Sequence, residues 1–253
     1  MNTLTLKGLS LDIHWKAPDA NYRAIEKAFA ESHADLYVLP EMFTTGFCMD
    51  PEAIADRHGR TLAWMKQFAQ AKKAALCGSL SVEENGRFYN RMYFVEPCGK
   101  STFYDKRHLF SYSGEHEIYT PGNQRIIVNY LGIRILLQIC YDLRFPVFSR
   151  NNDDYDLALY VANWPEKRVD AWEHLLKARA IENQCYVFGL NRTGQDGNNL
   201  FYKESSHAFF ADGSEITEKE NLHITAKIDL EQLAAFRRKF QFLNDRDSFA
   251  LLT

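Results

Sequence analysis

The 253-residue sequence has no apolar run approaching the roughly 20 residues that cross a bilayer as a helix. It also has no excess of one charge. Thirty Lys and Arg against 33 Asp and Glu give a formal net charge of -3, which leaves no field to draw the chain onto nucleic acid or an anionic membrane. Cysteine is sparse: Cys48, Cys77, Cys98, Cys140 and Cys185 make an odd count with no C-x-x-C spacing. That argues against a disulfide framework and a zinc site, and for a reducing compartment. His108, His116 and His207 show no metal-ligand spacing, and nothing in the reactive residues described below requires a cofactor or a metal. Repeats, low-complexity tracts and linkers are missing too. The first residues alternate like a strand and lack the apolar stretch of a secretion signal. The chain therefore reads as soluble and cytoplasmic, with one α+β domain over 1–253 as the simplest organisation.

What is present is a large apolar inventory, 46% hydrophobic and 14% aromatic residues, arranged as strands alternating with helices. Strands are expected over 4–11, 34–40, 75–81, 88–95, 101–104, 133–139, 156–163 and 186–190, with late strands at 207–210 and 222–228. Glu84-Asn85-Gly86 is a hairpin signal. Amphipathic helices are expected over 21–33 with Asp19 as N-cap, 59–73, 171–183, and 230–239 with Asp229 as cap. Residues 193–200 read as a Gly/Asn-rich loop. The tail, 241–253, is too apolar to be disordered and is expected to dock on a partner subunit.

Three strand ends carry reactive groups. The run Ile133 to Ile139 stops at Cys140, followed by Tyr141, Asp142, Arg144 and a proline, Pro146, suited to the first position of a helix. A strand that ends on a reactive side chain and turns sharply into a helix exposes that side chain and aims backbone N–H groups at it. Glu41 follows the second strand, and Lys106 follows the strand at 101–104. A thiol attacks as the thiolate and needs a base. Glu41 can be that base if burial beside Phe43 and Phe47 raises its pKa. Lys106, with the backbone N–H of Tyr141, can hold an oxyanion. Each residue also has a plain structural role open to it. Cys140 can be a core cysteine, Glu41 a turn cap and Lys106 part of a solvated charge run. Trp164, Trp172 and Phe110 can be packing residues, and Glu115 and Glu117 ordinary loop carboxylates.

The stretches LPEMF at 39–43, YDKRHLF at 104–110 and CYDLRFP at 140–146 resemble the three catalytic blocks of the nitrilase superfamily of carbon–nitrogen hydrolases, in that family's order of Glu, Lys, Cys. The likeness runs from the first strand to the last helix. It implies a four-layer αββα sandwich, pairing into a homodimer through the helices next to the active site, and a second glutamate between the lysine and cysteine blocks. Glu115 matches that position better than Glu117, with an orienting and proton-relay role. The cysteine block, ANWP at 162–165 with Arg168 and Trp172, and ARAIENQ at 178–184 are similar to the omega-amidase branch, which hydrolyses the terminal amide of 2-oxoglutaramate and 2-oxosuccinamate. True nitrilases usually carry Cys-Trp-Glu where this chain has Cys140-Tyr141-Asp142. The expected substrate is thus a small-molecule amide with a far carboxylate. Tyr141, Arg144, Phe43 and Trp164 are the expected substrate contacts. Arg144 is the candidate partner for the carboxylate through a bidentate contact, with a salt bridge to Asp142 or Glu182 as its structural alternative. Hydrolysis of N-carbamoyl compounds or deaminated glutathione is the rival chemistry on the same scaffold, and a binding protein that keeps the scaffold without catalysis is the rival class.

Overall fold

The computed structural model describes residues 3–152 and 154–251. In chain order the elements are β1 (Thr3–Leu9), α1 (Pro18–Ala28), β2 (Leu36–Val38), α2 (Pro51–Ile54), α3 (Arg60–Lys72), β3 (Ala75–Glu84), β4 (Arg87–Val95), β5 (Ser101–Asp105) and α4 (Glu115–Ile118). The second half follows with β6 (Ile127–Tyr130), β7 (Ile133–Ile139), α5 (Pro146–Ser149), β8 (Leu157–Ala162), α6 (Val169–Asn183), β9 (Tyr186–Asn191), β10 (Gly194–Gln195) and β11 (Phe201–Tyr202), then β12 (His207–Phe209), β13 (Glu218–Glu220), β14 (His223–Asp229) and α7 (Leu230–Lys239). One sheet has the order β13-β14-β1-β2-β3-β4-β5 and the other β12-β9-β8-β7-β6, with β10 and β11 forming a separate small hairpin.

Period-2 alternation decides which layer each side chain enters. Leu4, Leu6, Leu36 and Val38 of the first sheet meet Ile133, Ile135, Leu137, Leu157, Leu159 and Val161 of the second in one core between the sheets. The intervening positions turn outward. Tyr37, Leu39 and Leu76 pack with Tyr22 and Ile25 of α1 and Met65 and Phe68 of α3. Leu136, Ala158 and Tyr160 pack with Trp172, Leu176 and Ala180 of α6. The result is the expected αββα sandwich of four layers.

Strand direction places the reactive ends. β1–β2 and β2–β3 are parallel, whereas β3–β4 and β4–β5 are antiparallel, so β5 runs the same way as β2. Glu41 after β2 and Lys106 after β5 therefore leave the same edge of one sheet. β7, β8 and β9 are mutually parallel, which puts Cys140 and Asn163 at the carboxyl edge of the other, where open α/β sheets leave a crevice.

Several local expectations hold. Asn85 and Gly86 both take positive φ, 53° and 72°, as a two-residue hairpin turn between twisted strands requires. Asp229 accepts from Glu231 N at 2.9 Å and Gln232 N at 3.1 Å, a side-chain N-cap for α7. Pro146 opens α5. Asp19, however, is not a cap. α1 begins at Pro18 with Ala17 at its N-cap, and Asp19 lies in the first turn, because a proline's fixed φ and missing N–H suit the first helical position. The same helix ends at Ala28, short of residue 33. The expected loop at 193–200 contains β10 and leads into its partner β11, and β6 and β13 arise where no strand is expected. In the tail, a 3-10 turn at Phe242–Asp245 buries Leu243, while Phe249 and Leu251 are exposed; residues 252–253 lie outside the described residues.

Asp156 ties the second sheet to α7. Its carboxylate accepts from Arg134 Nε at 2.9 Å and from Arg237 Nη1 at 3.0 Å, and Arg237 also donates to Tyr155 O and Gln184 O, both at 2.8 Å. Burial raises the Asp156 pKa, but the bonds to Arg134 and the charge of Arg237 outweigh it and hold the group below its ordinary value. A depressed pKa stabilises the fold above the unfolded-state value and ceases to do so as pH falls through the folded value. Asp156→Asn is expected to lower stability at pH 7 by about 1–3 kcal/mol, read by urea unfolding. The gap to wild type should narrow only below about pH 4; a gap constant down to pH 3 would contradict this account.

Candidate active site

Glu41, Lys106 and Glu115 are all fully buried, and they are in direct contact. Lys106 Nζ donates to Glu41 Oε1 at 2.9 Å and to Glu115 Oε1 and Oε2 at 3.1 and 2.9 Å. Each carboxylate has further donors. Asn90 Nδ2 gives to Glu41 Oε1 at 2.8 Å and to Glu115 Oε1 at 3.2 Å. The Asn163 N–H gives to Glu41 Oε2 at 2.9 Å, and the Phe110 N–H to Glu115 Oε2 at 2.6 Å. Strand order dictates this arrangement. β3 and β4 lie between the strands that end at Glu41 and Lys106, so side chains from those two strands must fill the gap. Asn90 on β4 does so, held by Ser79 Oγ of β3 at 2.8 Å. Glu115 enters as the first residue of α4, after Gly114 in a left-handed conformation.

Cys140 follows β7 with φ of 46°, in the left-handed region that non-glycine residues seldom adopt. The turn continues as a 3-10 helix, Cys140–Arg144. The half-buried Cys140 lies with its Sγ 3.9 Å from Asn163 O. Glu41, Lys106 and Cys140 line one cavity of about 470 Å³, walled by Phe47, Phe110, Tyr141 and Trp164, with Arg144, Lys167 and Arg168 among its lining cations.

Burial, then the Glu41 carboxylate, pushes the Cys140 thiol well above its ordinary pKa, with Lys106 pulling the other way. At neutral pH the resting sulfur is therefore protonated, and attack requires a base. Burial alone would discharge Lys106, but Glu115 and Glu41 outweigh it and hold the ammonium above the usual lysine range. Glu115 is raised, by burial first and by Glu41, against the pull of Lys106. The site thus offers a protonated thiol, a carboxylate beside it and a permanent cation, the set needed for nucleophilic attack on a carbonyl with stabilisation of the resulting oxyanion.

The expected substrate contacts divide. Tyr141 is half-buried on the cavity wall, edge-on to Phe110 at 5.0 Å. Arg144 is exposed at the cavity with its guanidinium 5.0 Å from the Trp164 ring, and among the described residues it has no carboxylate partner. Asp142 and Glu182 are engaged elsewhere, by His108 and Arg179, so the salt-bridge alternative fails. Phe43 is not a substrate contact. Its ring is fully buried in the core beneath α1 and α3, against Trp64. Met42, with φ of 46°, reverses the chain between Glu41 and Phe43, and Phe47 supplies the cavity ring instead, 5.2 Å from Lys106 Nζ. Sequence reasoning missed Asn90 and Asn163 as site residues. Asn163 lay inside the ANWP stretch, whereas Asn90 shows only as an amide in the buried half of a strand.

The two phenylalanines are separable. Phe43→Ala is expected to cost about 3–5 kcal/mol of stability, read by chemical denaturation. Phe47→Ala should leave stability within about 1 kcal/mol and change alkylation of Cys140 by iodoacetamide instead. The reverse pattern would contradict these placements.

Comparison with known proteins agrees with the fold and with these motifs. The sequence profile of the carbon-nitrogen hydrolase family matches residues 14–238. Omega-amidase YafV of Escherichia coli strain K12 is 44% identical over 256 aligned residues, covering 99% of this chain and 100% of that protein. The 2-oxoglutaramate amidase of Bacillus subtilis is 33% identical, covering 95% of this chain and 96% of that one. Among solved structures, a CN-hydrolase superfamily protein of Xanthomonas campestris, crystallised with an arsenic adduct in its active site, superposes with a TM-score of 0.94 at 39% identity, covering 99% of this chain and 100% of that one. The chain belongs to the carbon–nitrogen hydrolase family.

Proposed function

We propose that the protein is an omega-amidase, hydrolysing the terminal amide of 2-oxoglutaramate or 2-oxosuccinamate to the 2-oxo dicarboxylate and ammonia through a thioester on Cys140. The observation that carries this reading is the buried Glu41–Lys106–Glu115 cluster, whose Glu41 and Lys106 line one cavity with Cys140. In the cycle, Glu41 takes the Cys140 proton and the sulfur bonds to the amide carbon. Lys106 and the Tyr141 N–H hold the oxyanion. As the C–N bond breaks, Glu41 returns the proton to nitrogen and ammonia leaves, giving the thioester. Water then attacks the same carbon, surrendering a proton to Glu41 with Glu115 orienting the Lys106 ammonium between them. The C–S bond breaks, and the proton goes back to sulfur.

The distal carboxylate of the substrate pairs with Arg144. Its guanidinium is stacked on Trp164 and unmatched by any carboxylate among the described residues, so its planar fork is free for a bidentate contact. The whole of 1–253 acts as a single domain, and two copies pair through α5 and α6. The exposed Val147 and Ile181, 54% and 47% accessible, support that pairing. All five cysteines are free, as suits the cytoplasm.

Cys140→Ala is expected to lower ammonia release from 2-oxoglutaramate by at least about 10³-fold with the fold intact, and mass spectrometry of wild type should trap an acyl adduct on Cys140. Retained turnover in the variant would refute the assignment. Arg144→Met should raise KM for 2-oxoglutaramate by about tenfold or more, an exchange of roughly 1.5–3 kcal/mol for the charged hydrogen bonds, with a smaller effect on an uncharged amide of equal length. Faster ammonia release from N-carbamoyl amino acids or deaminated glutathione than from either 2-oxo amide would move the protein to another reaction on the same scaffold.

A further inference from the structure

Asp142, two residues beyond the thiol, is fully buried, and its carboxylate accepts four hydrogen bonds. One comes from its own turn: the Ile139 N–H, immediately before Cys140, donates to Oδ2 at 2.9 Å. The others come from the lysine-bearing segment of the opposite sheet. Tyr104 Oη donates to Oδ2 at 2.8 Å, and His108 donates to Oδ1 from its backbone N–H at 3.0 Å and from Nδ1 at 2.8 Å. Tyr104 Oη in turn accepts the Arg107 N–H at 3.1 Å. The residues on both sides of Lys106 thus hang, directly or through one hydroxyl, from a carboxylate in the turn that carries the nucleophile.

The His108 ring is fixed besides by face-to-face stacking on Phe145, centroids 3.8 Å apart and 6° from parallel, and Phe145 belongs to the same turn. No other buried carboxylate in the described residues joins the β5 end to the β7 end in this way. The two reactive groups sit on different sheets, and the apolar core between those sheets fixes their spacing only through non-directional packing. Directional bonds to a single anion are what set two side chains to within fractions of an ångström.

We infer that Asp142, with His108 and Tyr104, is a positioning device that sets the Lys106 ammonium against the Cys140 sulfur, and that its loss impairs the chemical step without impairing substrate binding. The inference rests on the reading of Cys140 as nucleophile and Lys106 as oxyanion holder. None of its three members lines the cavity, so none touches substrate.

The test uses His108→Gln, Tyr104→Phe and Asp142→Asn in the full chain, with two readouts on folded protein. The first is the rate of Cys140 alkylation by iodoacetamide, followed by peptide mass spectrometry, which needs no knowledge of the substrate. The second is kcat and KM for 2-oxoglutaramate. Asp142→Asn is expected to lower kcat by about 10²-fold with KM unchanged within about threefold, and to change the alkylation rate in parallel. The two single-bond variants should show the same split to a smaller degree. Should Asp142→Asn fail to fold, Tyr104→Phe and His108→Gln carry the test. Unchanged kcat and alkylation in folded variants would overturn the proposal, as would a rise in KM with kcat intact. If Cys140→Ala keeps wild-type turnover of 2-oxoglutaramate, the nucleophile assignment itself fails, an outcome distinct from failure of the positioning role.

Discussion

A fully buried ammonium organises this molecule. Taking Lys106 out of water is costly, and only the two carboxylates against it make the burial tolerable. Each carboxylate is as deeply buried as the lysine, and each carries further hydrogen bonds from Asn90, Asn163 or a backbone N–H. Such a cluster tolerates no half-satisfied state, because removing one member leaves an uncompensated charge in a low-dielectric interior. The strand order of the first sheet, the polar residues Ser79 and Asn90 on otherwise apolar strands, and the short α4 that delivers Glu115 are all consequences of satisfying that one cation.

The cluster in turn dictates the chemistry of the thiol. Burial first, and then the Glu41 carboxylate, raises the Cys140 pKa against the pull of Lys106. This differs from thiols activated by a positive neighbour, which rest as thiolates. In the proposed cycle the sulfur holds its proton until a substrate is in place and Glu41 removes it. A protonated thiol is the weaker nucleophile, and in that cycle the ammonium at the other end of the same hydrogen-bonded cluster meets the charge that develops on the carbonyl oxygen. Glu41 and Lys106 share one hydrogen bond, so in that cycle proton removal at one end and charge stabilisation at the other draw on the same electrostatics.

Much of this was legible in the chain. Apolar runs with period 2 located most of the sheet strands, Asp229 announced the last helix, and a strand stopping at Cys140 before Pro146 gave the turn that carries the thiol. The failures share a cause. Phe43 is expected among the substrate contacts, but Met42 in a left-handed conformation rotates the following residue into the core, and backbone sign is invisible to hydrophobic periodicity. Asp19 lost the cap because Pro18 claims the first helical position. Asn90 went unnoticed since its role depends on which strands lie between β2 and β5, a matter of sheet order and not of local pattern. β6, only four residues long, is legible only once β7 is there to pair with it.

The two left-handed residues at the strand ends, Met42 and Cys140, both with φ of 46°, show how the site is held open. Such a conformation costs a non-glycine residue roughly 1–2 kcal/mol, so each needs local compensation. Around Met42, its own N–H bonds to Ser79 Oγ at 3.0 Å and the next N–H to Ser79 O at 3.1 Å. At Cys140, the compensation is the Asp142 carboxylate on the preceding N–H, with its further bonds across to the lysine segment. Both turns swing the following side chain away from the strand's alternation, Phe43 into the outer core and Tyr141 onto the cavity wall, while Glu41 and Cys140 line the same cavity. The backbone strain and the buried charge are therefore parts of one arrangement: the strained turns bring the polar groups together, and the hydrogen bonds among those groups keep the turns strained.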